Sequence, residues 1–343
     1  MYPSFNIKYQ TQKYLFKGLF LFWIFSSCHA PSKLKVDVSK IKVKIEFKRF
    51  EKDLFDLDSL HGNLGYQKLA NSYPEFFPLF INKVASLGNY PLDYKTDLNN
   101  FIKNKDLRKL KKDCDSVYPN LNAFTPGLED GFRHFLYYYP NHKLPNFITF
   151  ISGFNSAIVN TDSSLAIGLD MFLGSKYPIY RSVQFPQYIS RTLTYQYIPV
   201  IALKGYGKQL FAEKKGSTKL LDEMIYEGKI LYFLDALFPK LSDTLKISYT
   251  GNQLEWCKNH ESEIWGTLLE NDRLFKGDKN DLDTYFAEGP FTSGFNAQSA
   301  PRLGEWMGWQ IIKKYMESSK LSLPGLMKEN DSEKILRVSG YRP

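Results

Sequence analysis

Two glycines four residues apart, in a stretch dense with tryptophan and methionine, constrain this chain more than anything else in it. They are Gly304 and Gly308, inside Ser299–Met316, SAPRLGEWMGWQIIKKYM. Positions i and i+4 share one side of a helix, and a mid-helix glycine costs roughly 1 kcal/mol against alanine. Close backbone packing against a neighbour is what offsets such a cost. Leu303, Met307, Ile311 and Tyr315 continue the apolar covering, and Trp306 and Trp309 widen it. The stretch predicts a buried helix onto which other elements pack. Ser299 or Ala300 is placed to cap it, and Pro301 suits a first turn, where the missing N–H has no partner to lose. Arg302 and Glu305 then fall at the mouth of the helix.

With 343 residues, 43% of them hydrophobic and 16% aromatic, the chain can bury a large core, which excludes a disordered class. Lys and Arg exceed Asp and Glu by nine. The densest basic run, Lys103–Asp113, has helical spacing and reads as a solvated helix face, so no nucleic-acid partner is expected.

At the start of the chain Lys8, Lys13 and Lys17 precede the apolar run Gly18–Phe25, followed by Ser26, Ser27 and Cys28. That order of basic, apolar and small residues is a secretory signal. The run is shorter than the roughly 20 apolar residues a membrane-crossing helix needs. Residues 1–27 are therefore expected to be a signal peptide, 28–40 a tether and 41–343 a single domain. The small residues before Cys28 resemble a bacterial lipoprotein signal, although Phe25 stands where leucine is usual. The resemblance implies that Cys28 carries the lipid, palmitate included, and holds the chain to a membrane facing the periplasm. An ordinary secretory signal, with Cys28 incidental, and an uncleaved anchor are the alternatives. Cys114 and Cys257 are either two buried thiols or a pair joined across the fold.

Ile41, Val43, Ile45 and Phe47 alternate with charged residues, the pattern of a half-buried strand. Phe147–Ile151, Ala157–Val159 and Leu165–Leu169 read as further strands, the last closed by Asp170. Helices are expected at Asp97–Asp115, Leu128–Tyr139, Tyr188–Leu203, Ser217–Phe238, Gly251–Asn271 and Ser332–Val338, besides the glycine-notched one. The expected class is α+β, mostly α: a small antiparallel sheet in the N-terminal half packed on a helical body.

Among the five histidines no HExxH spacing occurs, and His134 sits among apolar residues as a satisfied core histidine would. Walker A, G-x-G-x-x-G and G-x-S-x-G motifs are missing as well. No metal or cofactor is expected. Glu227 precedes Gly228 in mid-helix, which turns it toward a packed interface, and Arg302 is a candidate cation for it. Asp170, Glu227, Arg302 and Glu305 form the candidate buried charged cluster. An inter-helix ion pair is the plain reading of it, and a catalytic carboxylate pair the sharper one.

Several collinear stretches resemble one family, the gliding-motility lipoprotein GldB of Bacteroidetes. They are the Cys28 signal, Arg49–Phe50, YPEFFP at Tyr73–Pro78, ITFISGFN at Ile148–Asn155, IGLDMFLG at Ile167–Gly174 and FPQYI at Phe185–Ile189. Met224–Asp235, Ser248–Trp265, Ala300–Met316 and Ser339–Pro343 complete the set. The resemblance implies a lipid-anchored envelope protein acting through proteins of the gliding and secretion machinery, with no transferable catalytic activity. A weaker similarity links the layout to HExxH zinc peptidases. The metal helix would then fall at Tyr188–Leu203, where TYQYIP at Thr194–Pro199 lacks the histidines. That would make the chain a peptidase-like scaffold without its metal. The alternative function is a carboxylate-dependent hydrolase on the same scaffold.

Overall fold

Alternation of apolar and charged residues carries the chain into its sheet. In the computed structural model, which describes residues 34–57, 62–212 and 219–343, Lys42, Lys44 and Glu46 are exposed while Ile45 is buried. The leader 1–27, Cys28, His29, His61 and Glu213 lie outside the described residues. Strand pairing starts only at Phe47, because the Ile45 N–H donates to the Glu129 carboxylate (3.0 Å) instead of to a neighbouring strand. Strands β1 (Phe47–Arg49), β2 (Asn146–Phe150), β3 (Ile158–Asn160) and β4 (Ser164–Gly168) form one sheet in the order β1-β2-β4-β3.

The α+β, mostly helical class holds, but the sheet is mixed and not antiparallel throughout. β2 runs parallel to both β1 and β4, and only β3 is antiparallel to β4. Parallel neighbours need a long crossover, and the helical stretch between β1 and β2 supplies one. All five residues of β4 and four of the five of β2 are buried, as suits parallel strands covered on both faces.

The helices that matter below are α1 (Lys95–Lys103), α2 (Lys105–Val117), α3 (Thr125–Tyr138), α4 (Ile198–Leu210), α5 (Leu220–Leu237), α6 (Gly251–Asn259), α7 (Leu303–Ser318) and α8 (Ser332–Ser339). The single helix expected at Asp97–Asp115 is two, because the Asn104 side chain accepts the N–H groups of Asp106 and Leu107 and starts α2 afresh. The basic run on α2 is solvated as expected, with Lys109–Asp113 and Lys111–Asp115 paired at i,i+4. The helix expected at Tyr188–Leu203 is also broken. Gln187–Ser190 forms one turn and Tyr195–Tyr197 a 3-10 turn, and α4 starts only at Ile198, with Pro199 in its first turn. The stretch expected at Gly251–Asn271 breaks at His260, which ends α6 and precedes a second helix, Glu261–Leu269. Cys114 and Cys257 are buried free thiols.

α5 and α7 form the centre. A Cβ on Gly308 would lie 1.7 Å from the Met224 carbonyl oxygen, and one on Gly228 would lie 2.3 Å from the Gly308 carbonyl carbon. The two helices therefore meet backbone to backbone, the close approach that the spaced glycines require. Gly304 makes room for a side chain instead, the Phe286 ring, 2.5 Å from where a Cβ would stand.

The start of α7 differs from expectation. Arg302 is left-handed (φ 51°), so the helix begins at Leu303 and not at Ser299. Ser299 serves the preceding loop, its hydroxyl accepting the Thr292 N–H (3.3 Å). The Thr292 hydroxyl donates to the Ala300 carbonyl (2.8 Å) and accepts from the Leu303 N–H (3.4 Å), tying that loop to the helix start.

Candidate functional site

α4 is apolar except on one side, where Lys204 and Lys208 lie four residues apart. Both face carboxylates on the central helices. Lys208 donates to Glu227 on α5, and Lys204 donates to Glu305 on α7 at 2.9 Å. Lys204 also stands 4.0 Å from the other Glu227 oxygen, so one ammonium bridges both carboxylates. Glu305 in turn lies 3.6 Å from the Arg302 Nε. Arg302 donates to the Glu288 carboxylate through one terminal nitrogen and to the Ile247 carbonyl (2.7 Å) through the other. Its guanidinium lies 5.9 Å from the Tyr249 ring, and the Tyr249 hydroxyl donates to the Pro301 carbonyl.

Glu227, Arg302 and Glu305 are thus brought together as expected, but the pairing differs. The cations at Glu227 are Lys208 and Lys204, not Arg302. Arg302 and Glu305 do stand at the start of α7, and both are buried there.

Burial alone pushes the Glu305 carboxyl upward, but Lys204 and then Arg302 overcome it and hold it near 2. Burial likewise disfavours the charged Arg302, and Glu305 and Glu288 reverse that. Two atoms of the network are buried without a hydrogen-bond partner, Glu227 Oε2 and Arg302 Nε.

The network opens on one side into a cavity of about 740 Å³. Its charged lining is Lys176, Arg191, Lys204, Arg302 and Glu288. Arg191 donates to the Tyr197 hydroxyl (3.2 Å) and the Ser248 carbonyl (2.7 Å). Two arginines therefore hold the successive carbonyls of Ile247 and Ser248, at the end of the short helix Asp243–Ile247. Ser248 is left-handed (φ 61°), as Arg302 is.

Asp170 does not belong to this cluster. It is buried at the end of β4, where one carboxylate oxygen accepts the N–H groups of Ser152 (3.2 Å) and Phe154 (2.7 Å). Burial raises its carboxyl to about 6, against the opposing pull of the Phe154 and Ser152 N–H groups. It pins the turn after β2.

A second buried cluster escaped the sequence reading. Asp235 on α5 accepts from Lys246 (2.7 Å) and from the Trp309 indole of α7 (2.7 Å). Lys246 also reaches Asp243 (3.4 Å), and Lys313 lies 3.5 Å from the Trp309 ring centroid while pairing with Asp243 (3.3 Å). His134 is buried with Nδ1 against the Asp130 carbonyl (2.9 Å), the satisfied core role expected of it. Among the described residues no group of three or more His, Cys, Asp and Glu side chains is placed to hold a metal ion. No helix among them is long and apolar enough to cross a membrane.

A model of the family described as gliding motility protein GldB matches residues 31–343 of this chain. No curated protein and no solved structure matches it.

Proposed function

Since this chain belongs to the GldB family of gliding motility proteins, we propose that it is a lipid-anchored cell-envelope component of the gliding machinery, working through protein partners and not by catalysis. The observation that carries this reading is the extent of the family match. It begins at residue 31, three residues past Cys28, and takes in the whole described body. The basic and apolar leader ahead of Cys28 is the part that would place the body in the envelope. The buried charges support a non-catalytic role, because Lys204, Lys208 and Arg302 are each neutralised by a carboxylate of the same network. Envelope proteins of the gliding and secretion machinery are the expected partners, and periplasm-facing membrane the expected place.

Substituting Cys28→Ala in the native host tests the anchor. The variant is expected to lose lipid labelling, to leave the membrane fraction and to stop colony spreading. A variant that stays membrane-bound and spreads normally overturns the anchor. Crosslinked membranes should yield envelope machinery with this protein above the level of a control lipoprotein, and recovery of none would contradict the partner reading.

One observation favours the hydrolase alternative. Glu227, Glu305 and Arg302 do converge beside a cavity, and Glu227 Oε2 is left without a hydrogen bond. Normal spreading by Glu227→Gln would remove that alternative, because a working carboxylate does not survive conversion to the amide.

A further inference from the structure

The cavity beside Arg302 is a built site with an imbalance of charge. Its size, about 740 Å³, lies in the range that holds small ligands. Four cations line it against one carboxylate, Glu288. Among the described residues no carboxylate pairs with Arg191 or Lys176. The carboxylates behind the wall, Glu227 and Glu305, are buried and committed to lysines.

Glu288 is different. Its side chain is 57% exposed, while the Arg302 side chain it neutralises is only 9% exposed. It sits in the irregular segment between the helix ending at Phe286 and the start of α7. A buried guanidinium needs an anion; the buried Glu305, 3.6 Å from the Arg302 Nε, is one, and Glu288 is a second that faces solvent. Arg302 and Ser248, both on the cavity wall, hold left-handed backbone that residues with side chains seldom adopt, a condition that concentrates at ligand sites. Tyr188, Ile201 and Pro290 add apolar surface to the same wall.

We propose that this cavity binds a ligand carrying a carboxylate beside an apolar body, and that Glu288 occupies the position at Arg302 which the ligand carboxylate takes. Arg191 and Lys176 supply the charge that draws the anion in. Lys204, fixed by Glu305, forms part of the floor, and the Tyr188 and Ile201 side of the wall receives the apolar part. Two sources share this chemistry, a free carboxylic acid and the C-terminus of a peptide. The site stands on its own geometry, whether or not Cys28 carries lipid.

Calorimetric titration of the full-length protein tests it with four probes: hexanoate, the tripeptide Gly-Leu-Phe, its C-terminal amide, and inorganic phosphate. Hexanoate or the free-acid tripeptide is expected to bind saturably, and the tighter of the two identifies the source. The amide should bind at least about tenfold more weakly than the acid, because it lacks the charge that pairs with the arginines. Glu288→Gln should tighten acid binding about fivefold or more by vacating Arg302, and Arg191→Gln should weaken it by about tenfold. The exposed position of Glu288 lets that variant fold, and a circular-dichroism melt checks that it does. Equal binding of acid and amide overturns the proposal. So does tighter binding of phosphate than of either acid, an unchanged affinity in Glu288→Gln, or no saturable acid binding to that variant.

Discussion

The Asp235 cluster and the Glu305 cluster draw on the same two helices, α5 and α7. In the first, both Asp235 oxygens are taken, by Lys246 and by the Trp309 indole, and all three side chains are buried. In the second, Glu227 Oε2 and Arg302 Nε have no hydrogen bond, a cavity adjoins, and one carboxylate partner stands in solvent. Helix packing alone does not decide which kind of cluster results. Asp235, a buried carboxylate with both oxygens taken by buried donors, braces the fold. Arg302 has one buried anion, Glu305, and one exposed anion beside a cavity, Glu288, and only the place of the exposed one is open to exchange.

The largest effect should come from the crossing that both clusters depend on. Gly308→Ala puts a methyl group where the Met224 carbonyl oxygen lies 1.7 Å away, so the helices must separate. A loss of more than about 3 kcal/mol in denaturant unfolding is expected, well beyond an ordinary surface change. Unfolding like the wild type would show that the two backbones do not meet there.

Asp235→Ala comes next, because it leaves the buried Lys246 with only the partly exposed Asp243 carboxylate, 3.4 Å away. The expected loss is about 3–5 kcal/mol, and the pair Asp235→Leu with Lys246→Met should recover most of it. Failure to recover would mean that the cluster does more than brace.

Acid titration separates Glu305 from Asp170. The folded-state value of Glu305, about 2, is below its ordinary 4.5. Its stabilisation is therefore complete above about pH 4.5 and is lost as pH falls toward 2. Asp170 has the opposite sign. Its folded-state value, about 6, is above its ordinary 3.8. Its contribution is present below about pH 3.8 and is lost as pH rises through 6. Melting temperatures taken from pH 7 to 3 should show Glu305→Gln flattening the acid limb and Asp170→Asn the limb near pH 6. Identical profiles for the two variants would contradict these assignments.

The smallest effect on stability belongs to Glu288→Gln, at under about 1 kcal/mol for an exposed partner. A large loss would make Glu288 part of the brace.

Much of the helical core was legible in the sequence. Gly304 and Gly308 called for close packing, and the pair Glu227–Gly228 marked the partner helix. The alternation at Ile41–Phe47 foretold which residues are the less exposed ones there but not how far they pair, because the Ile45 N–H is taken by a residue 84 positions away. Strand direction was not legible either, since it depends on a crossover and not on local pattern. Lys204 and Lys208 did leave a signal, two cations at i,i+4 in a mostly apolar helix. Glu288 left none, as nothing near it in the chain announces Arg302. Asp170 looked like a member of the cluster only because it is a charge at the end of an apolar strand, and its true partners are the N–H groups of the turn that follows β2.

The comparison is tested most directly by colony spreading of the host carrying Arg191→Gln, with envelope levels and melting temperature measured on the same protein. If the cavity is the working site and the Asp235 cluster only a brace, spreading is lost while abundance holds and the melting temperature barely moves. Spreading at the wild-type rate would contradict a working role for the cavity.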